Sequence, residues 1–157
     1  AALAPDDVDV VLYDGIGQLP HFNPDLEAAL PATVVDLRAR VAAAAGLLIS
    51  SPEYAHGVPG SFKNALDWLV GGPEFVYKPV ALFNASPRAS YAQESLAETI
   101  RTMSGRIISE ASLSLPLLGR GLDAEGIIER PELASAIRRA IIAFVEAIRV
   151  SSVTIAS

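Results

Sequence analysis

Cysteine is absent from the 157 residues, so disulfides and thiolate metal sites are excluded. Histidine is scarce as well: His21 and His56 alone do not supply a histidine-rich metal centre. Charge is sparse at 19% of residues, and the 12 basic side chains are outnumbered by 18 acidic ones. The resulting net charge of −6 lacks the basic stripe that a nucleic-acid surface needs. No apolar run approaches the roughly 18 residues of a membrane span. No secretory segment opens the chain, which points to the cytoplasm. Repeats and low-complexity tracts are missing too. What is present is a hydrophobic content of 51%, in a length that suits one domain with a real core.

Taken in order, Ala1–Ala4 reads as the tail of a helix ended by Pro5-Asp6-Asp7, and Val8–Tyr13 as a strand closed by Asp14-Gly15. A Pro- and Asn-bearing loop runs to about residue 30. Pro31 then suits the first position of a helix carrying Val34, Leu37, Val41 and Ala44, with Gly46 as its terminator. Leu47-Leu48-Ile49 is a short apolar run of the kind found in buried parallel strands. Phe62, Leu66 and Leu69 share a helical face, and Gly71-Gly72-Pro73 stops that helix. A second buried strand is expected over Pro79–Phe83, and a helix from about Tyr91 to Gly105 buries Leu96, Ile100 and Met103. Another strand lies within Ile107–Leu115, and Pro116–Gly126 is an irregular loop. Pro131 opens a last helix with Leu133, Ile137, Ile141, Val145 and Ile148 on one face, ahead of a tail from Ser151. Alternating strands and helices predict an α/β three-layer sandwich around a parallel sheet.

The richest stretch is Ser51-Pro52-Glu53-Tyr54-Ala55-His56-Gly57-Val58-Pro59-Gly60, followed by Ser61-Phe62-Lys63-Asn64-Ala65-Leu66-Asp67-Trp68. It is a strand-end loop leading into a helix, at the sheet edge where open α/β folds bind ligands. Small residues and few ionisable groups suit a flat, neutral, hydrogen-bonding ligand better than a metal or phosphate.

Ser-Pro-Glu-Tyr, then Gly-x-Pro-Gly and Lys-Asn-Ala-Leu-Asp-Trp, resembles the signature of the NADPH-dependent FMN reductase family, a flavodoxin-like group with quinone and chromate reductases. Leu19-Pro20 with Phe22-Asn23-Pro24-Asp25-Leu26 is similar to the family's segment after its second strand. The resemblance implies a flavodoxin-like sandwich with sheet order 2-1-3-4-5, FMN and NADPH as cofactors, and hydride transfer to a flavin, quinone or other small acceptor. It also implies that the flavin ring is held by Pro52, Glu53, Tyr54, Ala55, His56 and Gly57, and by Ser86, Arg88 and Ala89 of the next strand-end loop. No catalytic base or nucleophile is expected, because the cofactor carries the chemistry. A homodimer or homotetramer is implied, with Phe22, Trp68 and Phe75 available to a partner.

Several of these residues admit two readings. Glu53 either orients the loop or is solvated, Tyr54 either lines the flavin or packs beneath the loop, and His56 either borders the nicotinamide or a subunit contact, or has no role. Arg88 either meets a reduced flavin or NADPH phosphate, or simply faces solvent. Lys63, Asn64, Asp67 and Trp68 read first as packing and capping residues. Ala55 stands where many family members have Asn.

The family opens with a strand and a phosphate-binding loop that have no counterpart in this chain. Residues 1–150 are therefore expected to form one domain incomplete at its start. Roughly 20–30 preceding residues would supply a strand between Val8–Tyr13 and Leu47–Ile49. Alternatives to the reductase are a flavodoxin-type electron carrier and a flavin-free subunit or fragment.

Overall fold

The computed structural model of the chain describes residues 1–155 except Pro87, Ala89 and Leu118, with backbone alone over residues 152–155. Helix α1 spans Ala32–Ala43, strand β1 Leu47–Ser50, helix α2 Gly60–Val70 and strand β2 Pro79–Asn84. Helix α3 covers Ser90–Thr102, the short strands β3 and β4 cover Arg106–Ile107 and Leu113–Ser114, and helices α4 and α5 cover Ala124–Ile128 and Pro131–Ile155.

The sheet is parallel and centred on β2. Leu47 to Ser50 of β1 pair in register with Val80 to Phe83, and β3 and β4 pair with opposite ends of β2 on its other side. Residues of β2 alternate between two layers, as the two-residue strand period requires. Val80 and Leu82 join Val34, Leu37, Leu66, Trp68, Leu96 and Ile100 beneath α1, α2 and α3. Ala81 faces the other way, onto Ile108, Ala111 and Phe144 of the α5 side. Leu3 packs there too, against Ala134 and Ile141, within a turn rather than a helix tail. The three-layer α/β expectation holds.

Four local expectations are corrected. Val8–Tyr13 is not a strand: among the described residues it has no ladder partner, and Val10, Val11 and Leu12 are exposed. Extended sequence becomes a strand only when a neighbour takes its hydrogen bonds. Gly46 does not terminate α1. A β-carbon there would meet Ile148 Cδ1 at 2.7 Å and Phe144 Cζ at 2.8 Å, so the glycine admits close packing of α5. The end of α1 is instead held by Lys78, whose Nζ donates to the Ala44 carbonyl at 2.7 Å. Pro31 sits one position before α1 rather than in its first turn, and its carbonyl accepts from Val34 and Val35.

The strand expected within Ile107–Leu115 is split into β3 and β4 by a 3-10 turn over Ser109–Ala111. Ser112 bridges the gap, its Oγ accepting from the Leu82 amide at 3.1 Å. Two further expectations shift with it. The loop Pro116–Gly126 contains the start of α4, capped by Asp123, and α5 runs on to Ile155 past the expected tail.

Candidate functional site

Because β1 and β2 are adjacent and parallel, their following loops leave the same edge of the sheet. The first loop contains a tight turn. Tyr54 and Gly57 exchange both backbone hydrogen bonds, at 3.0 and 2.9 Å, across Ala55 and His56. Those two central residues have φ of +50° and +60°. This is the left-handed pattern of a type I′ turn, ordinarily given to Asn and Gly. Such a turn directs its central amides outward, and among the described residues Glu53, Ala55 and His56 N–H have no protein partner.

Glu53 is partly buried and takes up a structural task. Its Oε2 accepts from the Ala92 amide in the first turn of α3 at 2.8 Å. His56 lies flat on Tyr91, ring centroids 4.5 Å apart and planes 6° from parallel. Tyr54 points outward, 67% exposed, which removes the reading that it packs beneath the loop. Pro52 leads into the turn, with its carbonyl taking Ser51 Oγ–H at 3.2 Å.

The second loop begins at Asn84, a buried polar residue that closes β2. Its Oδ1 accepts from Ser86 N–H at 2.9 Å, a local turn that bends the chain off the strand. Arg88 is exposed, and Ala89 lies outside the described residues. Beside this loop a cavity of about 310 Å³ is lined by Asn84, Ser90, Gln93, Glu94, Ser112 and Ser114. A cavity of about 370 Å³ lies elsewhere, among Tyr13, Asp14, Thr33, Asp36 and Arg40. Two of its charges are paired with each other, Arg40 and Asp36 at 3.0 Å, and burial raises the Tyr13 phenol. We assign it no role.

The structure thus brings Pro52 to Gly57 and Ser86 to one edge, and it adds Asn84 and Tyr91, which the sequence reading passed over. Asn84 had a signal, an Asn ending an apolar run before Ala-Ser-Pro, whereas Tyr91 had none beyond its place at a helix start. Asn64 and Trp68 serve a different end. Asn64 Oδ1 accepts from Phe22 N–H at 2.8 Å, and its amide and Trp68 Nε1 both donate to the Pro20 carbonyl. They anchor the 20–22 loop. Trp68 and Phe75 are fully buried, so neither is available to a partner subunit as expected, and only Phe22 is partly exposed.

Outward amides in a loop of little charge match the carbonyl- and nitrogen-bearing edge of a flavin ring, so the donor set fits that group. There is room beside the turn at Gly57, where among the described residues a β-carbon would meet only the Tyr54 carbonyl, at 3.6 Å.

Comparison with known proteins agrees with this reading. The chain is 36% identical over 88 residues to a quinone reductase of Escherichia coli, an alignment covering 54% of this chain and 47% of that one. It is 31% identical over 130 residues to an NAD(P)H-dependent FMN reductase of Pseudomonas aeruginosa, covering 79% and 70%. Among solved structures, the flavoenzyme NAD(P)H:(acceptor) oxidoreductase FerB of Paracoccus denitrificans superposes with a TM-score of 0.74 at 30% identity, covering 85% and 77%. The chain spans about half the length of the quinone reductases it matches. The family model described as NADPH-dependent FMN reductase matches residues 1–116, from the first turn through both strand-end loops, and the chain belongs to that family.

Proposed function

We propose that the chain works as an FMN-dependent NAD(P)H oxidoreductase that reduces a flavin, a quinone or another small acceptor. The observation that carries this reading is the Tyr54–Gly57 turn at the sheet edge beside the start of α3, whose central Ala55 and His56 amides have no protein partner among the described residues. FMN held there would supply the redox chemistry that links the nicotinamide to the acceptor. Backbone groups of Pro52 to Gly57 would hold the polar edge of the ring, with Ser86, Arg88 and Ala89 the candidate contacts from the second loop. Tyr54, exposed at the turn, would lie at the edge of the bound ring. Arg88, exposed on the second loop, would supply the cation for an NADPH phosphate. Residues 1–150 act as one domain, the protein assembles as a homodimer and it works in the cytoplasm. No helix among the described residues is long and apolar enough to cross a membrane.

The test is titration of the purified chain with FMN, followed by NADPH oxidation with a quinone. Saturable quenching of flavin fluorescence and quinone-dependent NADPH consumption are expected. A chain that is folded by circular dichroism but leaves the flavin signal unchanged would overturn the reading.

A further inference from the structure

Two contacts cross from the first loop to the element after the second, and the chemistry above asks for neither. A helix start leaves amides without intrahelical partners, and a side chain just before the helix ordinarily takes one of them. Residue 89, which precedes α3, is alanine and has no acceptor to offer. The carboxylate of Glu53 takes that place from 39 residues away, accepting from Ala92, the third residue of α3, at 2.8 Å. A carboxylate is the favoured group there, since the helix dipole presents positive charge at its N-terminus. The second contact is the His56–Tyr91 stack, which holds one of the two left-handed residues of the turn against the first turn of the same helix.

We propose that Glu53 and the His56–Tyr91 stack are one clasp, which fixes the spacing of the two loops that hold the flavin. Glu53 is then a positioning residue for that ligand. This rests on the flavin reading given above. The turn keeps its own two hydrogen bonds when the clasp is cut, so it survives as a turn but swings as a unit. Its outward amides lose their alignment with the second loop, and the flavin has to restore that order when it binds. The consequence is a loss of affinity rather than of fold. Glu53→Gln retains an acceptor oxygen for Ala92 N–H, and Tyr91→Phe retains a flat ring for His56, so both conserve the clasp.

The experiment compares the full-length wild type with Glu53→Ala, Glu53→Gln, Tyr91→Ala, Tyr91→Phe and the double Glu53→Ala/Tyr91→Ala variant. FMN affinity is read by fluorescence quenching, and protection of the Ala92 amide by hydrogen exchange. Glu53→Ala should bind FMN about tenfold more weakly and lose Ala92 protection, with Glu53→Gln recovering most of both. The double variant should lose less than the product of the two single losses, because either cut opens the same clasp. If Glu53→Ala lowers the melting temperature but leaves FMN affinity within about twofold, Glu53 is a helix cap only and the proposal fails. Multiplying effects of the two alanine variants would overturn the clasp as a single unit. A wild type that binds no FMN is a different result: it defeats the proposed function, and the clasp's purpose with it.

Discussion

Ala55 adopts a backbone conformation that costs a residue with a β-carbon about 1–2 kcal/mol, and nothing in its own side chain offsets the cost. Asparagine tolerates that region better and is a preferred residue of type I′ turns. Ala55→Asn should therefore raise stability by about 0.5–1 kcal/mol, measured by urea unfolding; a fall in stability would mean that the position is held for another reason. Gly57 makes the complementary case. Its φ lies outside the left-handed region, and a β-carbon there meets only an ordinary van der Waals contact, so Gly57→Val should melt within a few degrees of the wild type. FMN binding should nevertheless be lost, because the branched side chain fills the approach to the turn. Full flavin occupancy in that variant would remove the turn from the site. The presence of this loop was legible in the residue types between Ser51 and Trp68. The partner of Glu53 was not, because it is an amide 39 positions away and no local pattern marks it. Trp68 illustrates the same limit, since its indole N–H answers a carbonyl 48 residues distant.

Elements whose hydrogen bonds are local could be read closely. Helices α2, α3 and α5 follow their apolar spacing to within a few residues, and β1 and β2 follow their apolar runs. Elements that depend on a neighbour could not be read from their own residues. Val8–Tyr13 has strand composition without a ladder, and β3–β4 is interrupted at a place that only Ser112 explains. The end of α1 belongs to this second class. Its carbonyls are met by Lys78, which comes from the segment leading into β2. Lys78→Met should cost about 1 kcal/mol, read as a shift in the denaturation midpoint. The pH dependence has a definite sign. Burial lowers the Lys78 pKa below its ordinary 10.5, so the unfolded chain binds more protons over that interval. Stability of the wild type relative to Lys78→Met should then rise as pH climbs toward 10.5. A gap that narrows with pH would show that the amine is stabilised in its charged form.

Across the whole molecule the sheet has open outer edges among the described residues, at β1 on one side and at β3 and β4 on the other. Strand β2 is paired on both edges, whereas among the described residues β1 is paired with β2 alone. The apolar ribbon Val10, Val11 and Leu12 is exposed, at 38%, 74% and 88%, and Leu48 of β1 is 38% exposed. An unpaired strand edge and an extended apolar ribbon are both templates for pairing with another chain. Such surfaces on a chain of mean hydropathy +0.37 are ones that a second copy would cover in the proposed dimer. Sedimentation of the 157-residue chain at micromolar concentration should give a mass above 16.5 kDa. The variant Val11→Lys/Leu12→Lys places two like charges on the ribbon and should return the mass toward 16.5 kDa. Its stability should stay within about 0.5 kcal/mol of the wild type, because both side chains already face solvent. A wild type that sediments as a single chain would defeat the expectation of a dimer. Undiminished association of the lysine variant would defeat only the ribbon's part in it, and would turn the search to other exposed side chains, such as Tyr77 and Val76 before β2.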